Sequence, residues 1–161
     1  MNEVIDQYND GSTYVGEKEN GLRHGFGKFS YADGGVYEGE WKYGAMDGSG
    51  KLFYPQGKLA YEGEWKNNAF NGRGKIYNFN PSSDDTPIDY EDFDYLKDKW
   101  IRYEGKFKDD TKEGFGTLYL INSQKFIGEF KEDMIHGKGT FLGENNQIIS
   151  GEWNQNHFMK P

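Results

Sequence analysis

Six segments of this chain superimpose without a gap over their first halves, and that self-similarity restricts the fold more than any single residue does. They begin at Tyr14, Tyr37, Tyr61, Tyr103, Phe126 and Ile149, with spacings of 23, 24, 42, 23 and 23 residues. Two positions after each start stands a glycine, namely Gly16, Gly39, Gly63, Gly105, Gly128 and Gly151. Two further on come Lys18, Trp41, Trp65, Phe107, Phe130 and Trp153. Each full unit then carries a Gly-x-Gly pair: Gly25/Gly27, Gly48/Gly50, Gly72/Gly74, Gly114/Gly116 and Gly137/Gly139. The chain therefore holds five full units and a sixth half-unit, each too small to bury a core alone, so stability must come from contacts between neighbouring units.

Within a unit the period is two, which means strands. Tyr37-Glu38-Gly39-Glu40-Trp41-Lys42 alternates strictly, and Gly48-Ser49-Gly50-Lys51-Leu52-Phe53-Tyr54 follows after a turn. The seventh position after each start, Gly21, Gly44, Asn68, Asp110, Asp133 or Asn156, suits a hairpin turn. Tyr37, Gly39 and Trp41 share a face with Gly48, Gly50 and Leu52, while Glu38, Glu40, Lys42 and Lys51 point the other way. Glycine on the ring-bearing face is explained if each large ring lies over the bare neighbouring backbone. The opposite face, with Glu17, Glu40, Glu64, Glu129 and Glu152 in one row and Lys42, Lys66, Lys108 and Lys131 in another, reads as solvated.

Composition supports an aromatic core. Leu, Ile, Val and Phe make up only about 19% of the 161 residues and the net charge is −8, a pairing usually seen in disordered chains. Aromatic residues at 17% argue against disorder, because each ring can bury about 150–250 Å². The negative charge also argues against nucleic acid as a partner. The chain has no cysteine, which removes disulfides, thiolate metal sites and cysteine nucleophiles and fits a reducing compartment. It shows neither an apolar run long enough to span a bilayer nor an N-terminal signal segment, so a soluble intracellular protein is expected.

The third unit is interrupted. No glycine occurs between Gly74 and Gly105, and residues 80–102 carry seven acidic side chains against Lys97, Lys99 and Arg102. Thr86, Pro87 and the spacing of Phe93, Leu96 and Trp100 predict a short helix of two to three turns. The expected organisation is a lead-in over residues 1–13 that can act as an edge strand, repeats over 14–79, the acidic insertion over 80–102, repeats over 103–148, and a half-repeat with tail over 149–161.

Tyr37-Glu38-Gly39-Glu40-Trp41 with Gly44, Gly48 and Gly50, and Tyr61-Glu62-Gly63-Glu64-Trp65 with Gly72 and Gly74, resemble MORN repeats (membrane occupation and recognition nexus). The likeness runs from Tyr14 to Trp153 outside the insertion. Its departures are Lys18 at an aromatic position, Phe126 and Ile149 at tyrosine positions, and the long third unit. The resemblance implies an all-β, twisted, single-layer ribbon of antiparallel hairpins whose groove receives a helical or extended segment of a partner. It also implies a non-catalytic scaffold or adaptor without cofactor, in a multi-subunit ciliary, flagellar or other cytoskeletal assembly such as radial spokes or the central apparatus. The alternative it carries is a peripheral phospholipid-binding or membrane-tethering module. Net charge opposes that alternative, and only Lys28, Lys51 and Lys75 form a basic row.

On this reading the partner meets the ring face, at Tyr37, Trp41, Tyr61, Trp65, Tyr103, Phe107 and Phe130, unless internal packing consumes those rings. Ile149, Gly151 and Trp153 look like a first strand without its mate, an edge able to template end-to-end association. Phe93, Leu96 and Trp100 of the insertion form a third contact candidate. Reaction chemistry has thin support. His24 and His136 sit at equivalent positions where a turn-side polar role is expected, and His157 has no second histidine at ligand spacing. Gly137-Lys138-Gly139-Thr140 lacks the ending of a phosphate loop, and no window has EF-hand spacing.

Overall fold

In the computed structural model, which describes residues 3–161, thirteen antiparallel strands form one open sheet whose spatial order is the chain order. The strands are β1 (Glu3–Gln7), β2 (Thr13–Glu19), β3 (Leu22–Ser30), β4 (Val36–Lys42), β5 (Ala45–Phe53), β6 (Leu59–Lys66), β7 (Ala69–Tyr77), β8 (Trp100–Lys108), β9 (Thr111–Leu120), β10 (Lys125–Lys131), β11 (Met134–Leu142), β12 (Ile148–Asn154) and β13 (His157–Met159). The chain divides into two compact units, Met1–Gly74 and Lys75–Pro161.

Each repeat is a hairpin closed by two residues of positive φ, such as Asn67/Asn68, Asp109/Asp110 and Glu132/Asp133, the twist-matching turn of tight β-hairpins. Tyr43 and Gln155 take the first of these positions in their turns, at φ 49° and 48°. The second turn residue donates its N–H to the preceding repeat: Gly44 to the Arg23 carbonyl (2.8 Å), Asn68 to Met46 (3.0 Å), Asp133 to Lys112 (3.1 Å) and Asn156 to Ile135 (2.8 Å). The first turn residue donates to the side chain before the Gly-x-Gly pair. Tyr43 N–H meets His24 Nδ1, Asn67 meets Asp47, Glu132 meets Glu113, and Gln155 meets His136 Nδ1. His24 and His136 thus occupy the turn-side role expected of them.

In register, the glycines form one row in each unit. Gly16 faces Gly27, which faces Gly39, Gly50 and Gly63 in turn; in the second unit Gly105, Gly116, Gly128, Gly139 and Gly151 do the same. The repeat's leading ring fills the space above this row. Its hydroxyl donates to the carbonyl three residues on, from Tyr14 to Glu17 (2.7 Å), Tyr37 to Glu40 (2.8 Å), Tyr61 to Glu64 (2.7 Å) and Tyr103 to Lys106 (2.9 Å). Rings then meet edge to face along the face: Tyr14–Trp41, Trp41–Tyr37, Tyr37–Trp65 and Trp65–Tyr61 in the first unit. Phe107–Tyr103, Tyr103–Phe130, Phe130–Phe126 and Phe126–Trp153 follow the same zigzag in the second. Each such pair contributes about 0.5–1.5 kcal/mol beyond its buried area.

Strict alternation fails at the same place in the β2–β3, β4–β5, β8–β9 and β10–β11 hairpins, just after the first-strand glycine. Gly39 pairs with Gly50 but Trp41 pairs with Met46, so residues 47–49 bulge opposite Glu40. Gly48 takes φ +104° there, and the Glu40 carboxylate accepts the Ser49 N–H at 2.5 Å. The same clasp joins Glu17 to Phe26 (2.8 Å), Glu64 to Arg73 (2.5 Å) and Glu129 to Lys138 (2.7 Å). Glu17, Glu40, Glu64 and Glu129, expected to be merely solvated, are therefore each built into the backbone of their own hairpin.

The insertion departs from expectation. Thr86 and Pro87 open no helix; instead Asp84 accepts from the Thr86 N–H and hydroxyl, and the only helical turn within residues 80–99 is a 3₁₀ turn over Phe93–Tyr95. Short acidic loops tied to the sheet satisfy the backbone in its place: Ser82 N–H donates to the Asp98 carbonyl (2.7 Å) and the buried Lys99 Nζ to the Thr86 carbonyl (2.7 Å). Trp100, assigned to the helix by its spacing, begins β8.

Candidate functional site

The ring face is closed. Tyr37, Tyr61 and Tyr103 are 0% exposed, and Trp41, Trp65, Phe107 and Phe130 are 4–5% exposed. These seven residues, expected to meet a partner, are the core of the protein, because a single layer has nothing else with which to cover its glycine backbone. Trp41 and Trp65 also commit their indole N–H groups internally, to the Gly27 and Gly50 carbonyls, each at 3.1 Å. Lys18, the exception in the row, pairs with Asp6 of β1, and the Arg23 guanidinium lies 4.9 Å from the centre of Trp41.

The insertion is equally internal. Phe93 is 4% exposed and packs on Phe126, Phe141 and Trp153. Leu96 and Trp100 border a cavity of about 190 Å³ between the insertion and the sheet, shared with Lys112 and Asp133. Burial pushes the Lys112 amine down from its ordinary value, opposed by the Asp133 carboxylate 3.7 Å away. The half-repeat also has its mate. β12 pairs with β13, Asp92 bridges to His157, and Phe158 covers Gly151. Trp153 Nε1 donates to the Tyr90 carbonyl at 2.7 Å and Phe158 N–H to Glu91 at 2.9 Å. Ile149, Gly151 and Trp153 therefore do not form a bare edge; the mate β13 is only three residues long and carries no Gly-x-Gly pair to betray it, and the rest of the cover, Tyr90 and Phe93, lies some sixty positions away.

What remains open is the opposite face. In the first unit a groove of about 430 Å³ runs over the backbone of Gly39, Gly50 and Gly63. Phe26, 62% exposed, stands on one side, and Lys51 and Glu62 on the other. Charges there are matched across strands, Lys28 to Glu38 at 3.9 Å and Lys51 to Glu62 at 3.4 Å. In the second unit the corresponding groove, about 610 Å³ over Gly128, Gly139 and Gly151, changes character. The row continues from Thr117 through Ile127 and Thr140 to Ser150, uncharged, beside Phe115 at 62% exposure. This face was read as solvated because Phe26 and Phe115 fall at the middle of the Gly-x-Gly pair, where the other repeats carry Ser49, Arg73 and Lys138, and Ile127 falls where three repeats carry Glu38, Glu62 and Glu104. The two phenylalanines at an otherwise polar position, and Val15 and Ile127 in the glutamate row, were the available signal.

Comparison with family models matches the MORN repeat at residues 14–36, 37–58, 61–78, 103–124 and 126–148. No curated protein matches the chain.

Proposed function

Because the chain belongs to the MORN-repeat family, whose repeats form non-catalytic protein-interaction or membrane-associated modules, we propose that it is a scaffold holding a segment of a partner protein on its open face. The observation that carries this reading is the division of the sheet into a closed ring face and an open grooved one, with Phe26, Phe115 and Ile127 left exposed. A partner segment that seats apolar side chains against Phe115 and Ile127 gains desolvation there, and its backbone runs over a floor of glycine that places no side chain in its way. In the first unit, taken by itself, the alternating Lys and Glu row of the groove selects a segment of mixed charge. Membership of a multi-subunit ciliary, axonemal or other cytoskeletal assembly belongs to this proposal by analogy alone.

The membrane-tethering alternative finds less support. Lys28, Lys51 and Lys75 each face a carboxylate, Glu38, Glu62 and Glu104, so the basic row is internally balanced. Among the described residues no helix is long and apolar enough to cross a membrane.

A photo-crosslinking residue at position 127, compared with the same chain carrying Phe115→Ser, tests the proposal. The expected result is a specific crosslinked partner that Phe115→Ser loses while the melting temperature holds, since exposed substitutions change stability by only about 0.5 kcal/mol. Crosslinks unaffected by Phe115→Ser, or flotation with anionic liposomes that persists at physiological salt, would contradict it.

A further inference from the structure

The insertion and the last strand bring together side chains that the sequence holds far apart, Asp92 and Asp94 on the one and His157 on the other. Asp92 Oδ1 lies 3.4 Å and Asp94 Oδ2 3.3 Å from His157 Nε2, and the three atoms all lie within 4.8 Å of one another. His157 Nδ1 is 2.9 Å from the Gln155 carbonyl, which can only accept, so Nδ1 carries the proton. Nε2 therefore points at two carboxylate oxygens, and either a proton or a metal cation placed between the three atoms satisfies them.

The donor set favours one kind of cation. Imidazole with carboxylates suits zinc, whose tetrahedral bonds of about 2.0–2.1 Å the three side chains can supply by small movements, whereas magnesium prefers oxygen ligands alone. We propose that Asp92, Asp94 and His157 form a zinc-class divalent-cation site, with three protein ligands and a fourth position open to water. Two carboxylates balance the charge of the ion.

Outer contacts orient the set as metal sites require. The Gln155 carbonyl fixes the His157 tautomer, and Asn156 Nδ2 donates to Asp94 Oδ1 at 3.0 Å, leaving Oδ2 free to ligate. The His157 and Asp94 side chains are 55% and 52% exposed, so an ion reaches them directly from solvent. Once bound, it fastens the insertion to β13, where Phe93 N–H already donates to the Asn156 carbonyl at 2.9 Å. The site stands independently of what occupies the groove.

Titration of zinc into the chelator-stripped full chain, followed by melting temperature and by the visible spectrum of cobalt in its place, tests the proposal. One ion per chain, a raised melting temperature and a tetrahedral cobalt spectrum are expected. His157→Gln and Asp94→Asn should each weaken zinc by more than about 100-fold, beyond the loss typical of an outer partner. Both should melt like the unaltered chain in chelator, and His136→Gln should bind zinc normally. Equal zinc affinity in all three variants would overturn the site, as would a melting temperature that responds to acidification but not to zinc.

Discussion

The Tyr37 ring occupies the space that a side chain on Gly50 would need: a Cβ built there would lie 2.5 Å from a ring carbon of Tyr37. Gly27 stands in the same relation to Tyr14, Gly74 to Tyr61 and Gly116 to Tyr103, and Phe126 covers Gly139. The repeat is thus a ring and its glycine, one on each strand of a hairpin. The consequence is that the rings are committed to the fold, which is why the proposed function places recognition on the other face.

The glutamate clasp has a natural control in the fourth repeat, where Lys106 stands in the row and Gly114 has no carboxylate above it. Gly114 and Gly137 both sit at positive φ, +89° and +115°, so alanine at either carries a backbone cost of about 1 kcal/mol. Gly137→Ala should cost more, because its Cβ would displace the Glu129 carboxylate. Glu129→Ala should lose about 1–2 kcal/mol, and Lys106→Glu should restore the clasp and gain about 1 kcal/mol. Urea denaturation of the four variants checks the ordering.

Alkaline pH should unfold the protein through its tyrosines. Burial raises the Tyr14 hydroxyl to about 12, with Arg23 opposing, and burial raises Tyr37 and Tyr103 further. A group whose folded pKa is raised contributes stability that is complete below its unfolded value, near 10, and is lost as pH climbs toward the folded one. Each such tyrosine adds a slope of about 1.4 kcal/mol per pH unit in that window. Lys112, pushed down by burial, acts with the opposite sign and returns a smaller part. Melting temperatures should be flat to about pH 9.5 and fall steeply above it, and Tyr37→Phe should flatten the fall.

Deleting residues 81–99 should destabilise the second unit, since Phe93 covers Phe126, Phe141 and Trp153. Phe93→Ala should cost about 3–5 kcal/mol, and the deletion should expose Trp153 to solvent, seen as a red-shifted indole emission. Truncation before Ile149 should damage the same cluster from the other side.

Much of this was legible in the chain. The spacing of Tyr37, Gly39, Gly48 and Gly50 specified the hairpin, its turn and which residues share a face, because period and glycine placement act over a few residues. Three things were not. The bulge at Gly48 depends on a carboxylate, Glu40, that alternation alone assigns to solvent. The burial of Trp41 and Trp65 depends on how closely neighbouring repeats stack. The cover over Trp153 comes from Tyr90 and Phe93, and the meeting of Asp92 and Asp94 with His157 spans a similar separation; no local pattern encodes either.

A double-mutant cycle on Tyr37→Ala and Gly50→Ala tests the central claim most directly. If the ring is seated on the glycine, Gly50→Ala should cost about 1–3 kcal/mol with Tyr37 present and little once the ring is gone, a coupling of at least about 1 kcal/mol. Additivity of the two changes within about 0.5 kcal/mol would contradict it.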